Sequence, residues 1–302
     1  MRVVVTGSAG RLGRVVVRDL VSRGHVVTAI DRQHDPDPVT PDTRVADLAD
    51  PGAWAAALDG ADAVVHAAAI PGDQADPADL ARENLEVSAS LALHARRAGV
   101  ARFVQVSSIQ VIGSERAATD ESARVDWLPL SGDSPPRPAN SYAWSKLGAE
   151  VAVRAALAGS PVRCVILRLP WLVDAGDSKH RYRSLRSLDE RQSACVVEQG
   201  FSYLSFADAA SLIAACLVAD LPEMRVYLPA VCAVAPEAIG PCLDRYYRGV
   251  RLRDPELSSL IDLETIERET GWRPAHVIRL SPPAPQPRPD WLTRLMRRRH
   301  DD

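Results

Sequence analysis

Tyr142 and Lys146 stand four residues apart in the stretch NSYAWSKLGAE (140–150). On a helix that spacing puts a phenol and an ammonium on one face, one turn apart. A free phenol titrates at a pH of about 10, too high for ready proton exchange near neutrality, and a neighbouring cation lowers that value by favouring phenolate. The pair is therefore a candidate proton donor and acceptor, Tyr142 reacting and Lys146 tuning it. The residue type at 146 carries information, because among 36 cationic residues only Lys146 and Lys179 are lysine. A compact ammonium hydrogen-bonds ribose hydroxyls where a planar guanidinium fits badly. A third candidate lies in VQVSSIQVIG (104–113), a strand-like run that ends in Ser107 and Ser108. Ligands of open α/β sheets sit beyond the carboxyl ends of strands, so a substrate oxygen would meet these hydroxyls, and Ser108 is the better candidate. Ser107 is equally suited to a cap or turn.

The second constellation is VVVTGSAGRLG (3–13), which sets Gly7, Gly10 and Gly13 between a strand and a helix. Glycines there permit a tight turn, close approach of backbone N–H groups to a pyrophosphate, and close helix-to-strand packing. Arg11 and Leu12 complete that helix start, and Asp31 ends the second strand, where a carboxylate accepts from adenosine ribose hydroxyls. NAD is thus the expected cofactor. Asp31 would repel a 2′-phosphate while Arg32, with Arg11, would attract one, which keeps NADP as the alternative.

These residues need a scaffold, and the first half of the chain supplies its pattern. Short β-branched runs at 3–5, 26–30, 44–46, 63–66, 103–106 and 164–169 alternate with helix-period segments at 12–21, 54–58, 80–98 and 141–157. That grammar predicts an α/β fold, a Rossmann-type doubly wound parallel sheet with helices on both faces. Residues 1–170 read as the dinucleotide-binding domain, with 206–230 returning to it as a helix and a strand. Residues 171–205 and 231–302 read as a small C-terminal substrate-binding lobe and a tail, Pro-rich and then basic. The Pro-rich stretch 128–139 reads as a surface loop ahead of the Tyr142 helix.

Composition removes other classes. With 46% hydrophobic residues in 302, the chain can bury a substantial core, and a net charge of −3 gives no global pull toward nucleic acid or anionic membrane. The five cysteines form no Cys-x-x-Cys pair, so neither a metal site nor a disulfide framework is expected. Met1 leads straight into a strand-like run and no apolar run is long enough to span a bilayer, so a soluble cytoplasmic protein acting on a small molecule is expected.

With these residues in view, the chain resembles the extended short-chain dehydrogenase/reductase family, the NAD-dependent epimerase/dehydratase group. The resemblance rests on TGSAGRLG (6–13), Asp31, Asp47-Leu48, HAAA (66–69), Asn84, SSIQVIG (107–113), YAWSK (142–146) and GWRP (271–274). It implies that Asp47 and Leu48 contact adenine, that Ala67, Ala68 and Ala69 line the middle of the cofactor, and that Asn84 and Pro170 border it. It also implies that Ser108, Tyr142 and Lys146 are catalytic, that Ser108, Ile109, Gln110 and Trp171 meet substrate, and that the protein is a homodimer built on helices near 80–98 and 141–158. Dehydratases of the family carry an Asp-Glu pair where this chain has Ile109 and Gln110, which argues against dehydration. Where the epimerases carry Asn and Arg-Asp diphosphate anchors this chain has Trp171 and Phe201-Ser202; the basic segment 179–191 reads as a solvated loop, with a substitute anion anchor as the alternative. The motifs SSIQVIG and YLSFADAASLI (203–213) are most similar to the uronate-dehydrogenase-like branch, from which Ile109 departs. An oxidoreductase acting on a secondary alcohol or ketone is the leading expectation. An NAD-dependent sugar epimerase and a non-catalytic dinucleotide sensor are the alternatives.

Overall fold

The structure is a computed structural model and describes residues 1–72, 75–113, 125–174 and 198–277. The basic segment 179–191 and the tail from 278 onward, both singled out in the sequence, lie outside the described residues.

Seven parallel strands form the central sheet: β1 (Arg2–Thr6), β2 (Val26–Asp31), β3 (Thr43–Val45), β4 (Ala63–His66), β5 (Arg102–Ser108), β7 (Arg163–Leu169) and β10 (Met224–Tyr227). Their spatial order is β3-β2-β1-β4-β5-β7-β10, the Rossmann-like arrangement expected from the alternating pattern. Side-chain alternation explains the two layers. Val3 and Val5 of β1, Ala63 and Val65 of β4, and Val165 and Leu167 of β7 face one core, while Val4, Val64 and Ile166 face the other. The first core is covered by α1 (Arg11–Ser22) together with α6 (Phe206–Val218), and the second by α4 (Val87–Arg97) together with α5 (Ser141–Leu157). Each valine, leucine or isoleucine so enclosed contributes about 1.5–3 kcal/mol.

The shorter helices are α2 (Pro51–Trp54), α3 (Pro77–Leu80), α7 (Ile239–Tyr246) and α8 (Glu264–Thr270). The helix expected across 80–98 is not uniform, because a π-helical turn at Ala81–Glu86 joins α3 to α4. Two small sheets stand apart from the central one: β8 (Leu172–Val173), β9 (Ser202–Ser205) and β11 (Val231–Cys232) in the first, and β6 (Trp127–Leu128) with β12 (Arg251–Leu252) in the second. The loop ahead of α5 is thereby stitched to distant chain, since Leu130 also bridges to Ile261. Among the described residues no helix is long and apolar enough to cross a membrane, and the four described cysteines are free and buried.

Candidate active site

The crevice lies where strand order reverses, between β1 and β4. After Thr6 the chain turns at Gly7, whose φ of 72° suits glycine, and the Gly7 carbonyl accepts from Gly10 N at 3.1 Å. A Cβ on Gly7 would stand 2.5 Å from Ala68 N, so the segment after β4 lies directly against the glycine loop. A Cβ on Gly13 would meet the Gly7 carbonyl at 2.0 Å. The helix α1 starts at Gly10 with no side-chain cap and no acid in its first turn. Its first N–H groups and partial positive charge are left for an anion, which fits a pyrophosphate. Leu12 is half-buried there. Arg11 is largely exposed, sits 4.7 Å over the Phe206 ring and pairs with Asp174 at 2.9 Å.

Asp31 ends β2 beside this loop. One carboxylate oxygen accepts from Ala9 N at 3.0 Å and the other from Gln33 N at 2.9 Å, while Arg32 is exposed. Asp47 is exposed and accepts from Ala49 N at 2.9 Å. The Leu48 side chain packs in the second core, and its carbonyl accepts from Trp54 Nε1. Ala67, Ala68 and Ala69 are partly exposed along the crevice.

Asn84 departs from expectation. It is buried in the π-helical turn, its Oδ1 accepts from Ile70 N at 2.8 Å, and its Nδ2 donates to Ile70 O at 3.1 Å and Ser145 Oγ at 2.9 Å. With both polar atoms engaged, it ties the segment after β4 to α5 and does not itself face a cofactor. Beneath it runs a polar ladder that sequence patterning does not reveal. Thr6 Oγ1 and His66 Nδ1 are 2.7 Å apart, His66 Nε2 and Ser88 Oγ are 3.0 Å apart, and Ser88 donates to Asn84 O. Burial, with the Lys146 charge nearby, pushes His66 down to about 3, so it is neutral at physiological pH.

Ser108 closes β5, and its Oγ accepts from Gln110 N at 3.2 Å. The chain then enters a single 3₁₀ turn, which rotates Ile109 into the first core at 2% exposure. The Ile109 side chain is thereby directed into the core and not into the crevice. Gln110 serves a different purpose: its Oε1 accepts from Asn140 Nδ2 at 3.0 Å, and Asn140 caps α5 by accepting from Ala143 N at 2.8 Å. The serine turn and the start of the Tyr142 helix are thus clamped together. Pro170 is buried after β7, and Trp171 is 39% exposed.

Tyr142 and Lys146 occupy successive turns of α5, but their electrostatics differ from the expected pairing. Burial raises the Tyr142 phenol, and the opposing pull comes from the Ser108 hydroxyl, within hydrogen-bonding reach of it. Lys146 is 2% exposed and donates to Val106 O at 2.7 Å. Burial pushes its ammonium down to about 8, against the upward pull of Glu150. One turn further on, Glu150 accepts from Ser107 Oγ at 2.6 Å and from Arg168 through a two-point fork at 3.0 and 2.9 Å. Arg168 also donates to Ser134 O at 2.8 Å. Ser107 thus faces α5 and supports the helix, leaving Ser108 toward the crevice. The i, i+4 spacing continues from Tyr142 through Lys146 to Glu150, which was the available signal for this missed residue.

A cavity of about 640 Å³ opens on the other flank of α5, lined by Ser134, Arg154, Arg168, Arg225 and Glu269 among others. It contains neither the glycine loop nor Ser108 or Tyr142, so it is not the crevice described above.

A model of the NAD dependent epimerase/dehydratase family matches residues 3–219. The chain is 38% identical to a 3 beta-hydroxysteroid dehydrogenase/Delta 5→4-isomerase of Mycobacterium tuberculosis over 132 residues, 40% of this chain and 36% of the relative. It thus spans little more than a third of that relative's length. It is 27% identical to an L-arabinose 1-dehydrogenase (NAD(P)(+)) of Haloferax volcanii over 225 residues, covering 74% of this chain and 84% of the relative. Among solved structures, a short-chain dehydrogenase/reductase superfamily protein from Agrobacterium tumefaciens with bound NAD superposes with a TM-score of 0.64 at 23% identity, covering 91% and 92% of the two chains. MoeE5 in complex with UDP-glucuronic acid and NAD superposes with a TM-score of 0.65 at 22% identity, covering 91% and 94%. At these identities the superpositions establish the shared fold.

Proposed function

This chain belongs to the NAD dependent epimerase/dehydratase family, and from that premise we propose that it is an oxidoreductase. It would move hydride between a nicotinamide and a secondary alcohol or ketone of a sugar-like or natural-product substrate. The observation that carries this reading is the placing of Tyr142 and Lys146 on successive turns of α5 against the end of β5, where Lys146 donates to Val106 O and the Ser108 hydroxyl acts on the Tyr142 phenol.

The cradle suits NAD. The uncapped start of α1, with Gly7, Gly10, Arg11, Leu12 and Gly13, would hold the pyrophosphate, and Asp31 the adenosine ribose. NADP remains the alternative through exposed Arg32 and Arg11. When bound, the nicotinamide supplies or accepts the hydride. Ser108 would orient the substrate oxygen, Tyr142 would give or take its proton, and Lys146 would favour phenolate and bind ribose. Gln110, through Asn140, would keep serine and tyrosine in register, while Trp171 offers an aromatic wall. The lobe carrying the small sheets would close over the substrate.

The named activities of the relatives, an arabinose and a hydroxysteroid dehydrogenase, support a secondary alcohol as the reacting group. The test is turnover with NAD, and with NADP, against aldoses, uronates and hydroxysteroids, read by nicotinamide absorbance. Net reduction of the cofactor with one class is expected. Isomerised product without net reduction would make the protein an epimerase instead.

We also propose a homodimer through α4 and α5. Their outer faces carry Leu93, Trp144 and Val151 at 40%, 59% and 58% exposure, a stripe of large apolar groups. Sedimentation should give a dimer that Trp144→Glu dissociates; a monomeric wild type would refute it.

A further inference from the structure

Lys146 works, on the reading above, only while it is cationic and held in place, and its enclosure opposes the first of these. Taking an ammonium from water is costly unless an opposite charge accompanies it. The groups facing it are few. His66, on β4, is neutral; the Val106 carbonyl, on β5, takes one of its three protons; Tyr142 and Glu150 flank it on its own helix. Arg168, on β7, is the other nearby cation, and its charge is matched by the two-point fork to Glu150. Glu150 is the anion one turn from Lys146, and its side chain is 2% exposed.

The carboxylate is itself fixed from three directions. Ser107, the residue after the carbonyl that Lys146 binds, donates to it at 2.6 Å. Arg168 grips both oxygens and anchors to the carbonyls of Gly132 and Ser134. The network thus joins β5, β7, α5 and the loop ahead of α5 behind one lysine. We propose that Glu150 is a positioning residue: held by Ser107 and Arg168, it fixes α5 against the end of β5 and keeps the Lys146 ammonium charged. This rests on the oxidoreductase reading for its purpose, but its physical content stands without any cofactor.

The composition offers a direct readout. Because Lys146 and Lys179 are the only lysines, protein labelled with ¹³C at lysine Cε gives two side-chain signals, and Lys179→Arg assigns them. Titrating the Lys146 signal in wild type and Glu150→Gln should show its midpoint move down by about one pH unit or more. An unchanged or raised midpoint would overturn the proposal. If Glu150→Gln does not fold, because Arg168 is left buried without its partner, the double variant Glu150→Gln/Arg168→Gln removes both charges. A smaller downward move is expected there, and none would equally overturn the proposal. Failure to find turnover in wild type would sink the oxidoreductase reading and leave this titration untouched.

Discussion

The polar network behind the crevice and the enclosed acid Glu198 are held in opposite ways. Behind the crevice, Thr6, His66, Ser88, Asn84, Ser145, Ser107, Glu150 and Arg168 satisfy one another across the sheet and two helices. Glu198, by contrast, is 9% exposed, and one carboxylate oxygen is enclosed with no hydrogen-bonding partner among the described residues. Burial alone pushes this carboxyl up to about 8. It lies against Gly113 at the far end of the serine segment and near the Tyr247 phenol. The first region uses its polar groups to hold a geometry ready; the second holds an acid that destabilises the fold whenever it ionises. Substitutions should therefore cost activity in the one and add stability in the other.

The largest expected effect separates chemistry from folding. Tyr142→Phe should lower turnover by about 10²–10⁴-fold while thermal unfolding moves little, because the phenol's removal leaves the Asn140 cap and Lys146 intact. A variant that keeps its turnover would break the comparison at its most specific point. Next, Gly7→Ala places a methyl against the Ala68 backbone and strains a positive φ, so NAD affinity by calorimetric titration should fall at least about tenfold. Unchanged affinity would mean that the glycine loop does not contact the dinucleotide. Opposite in sign, and in stability instead of binding, is Glu198→Gln.

The sign for Glu198 follows from its raised value. Between about 4.5 and about 8 the folded protein binds more protons here than the unfolded chain, so stability from this group falls as pH rises through that window. Glu198→Gln should flatten that slope and stabilise the protein by up to about 5 kcal/mol above pH 8, since each pH unit between the folded and unfolded titration midpoints is worth about 1.4 kcal/mol. Denaturant unfolding at pH 6 and pH 9 checks this. A variant less stable than wild type at pH 9 would show that the enclosed oxygen has a partner after all.

The same contrast explains what could be read from the chain before its structure. The β-branched runs of β1, β2, β4, β5 and β7 are long enough to show alternation, and Gly7, Gly13 and Asp31 mark the crevice by requirements of backbone space and charge. The two small sheets are legible only as irregular chain, because β6, β8, β11 and β12 have two residues each and no period can be seen in two. Within the site, the Tyr142–Lys146 spacing survives translation into structure, whereas the spacing alone does not reveal that Lys146 also donates to Val106 O or that Ser108 acts on the phenol. Ile109 was misplaced for a related reason: the strand's alternation ends at Ser108, and the tighter turn that follows sends the next side chain inward. Glu150 and Arg168 were passed over because charged residues inside sheet-facing segments declare their role only once their partner on another element is known.

The widened turn at Ala81–Glu86 has a consequence for how this part of the chain tolerates change in length. An α-helix advances about 100° per residue, and a five-residue hydrogen-bonded turn accommodates one residue more than its neighbours do. Removing a single residue there would let α3 and α4 fuse into one regular rod, but it would swing the Asn84 amide by about a quarter of a circle, out of register with Ile70 and Ser145. Local regularity and the grip on the crevice wall are therefore mutually exclusive at this point in the chain.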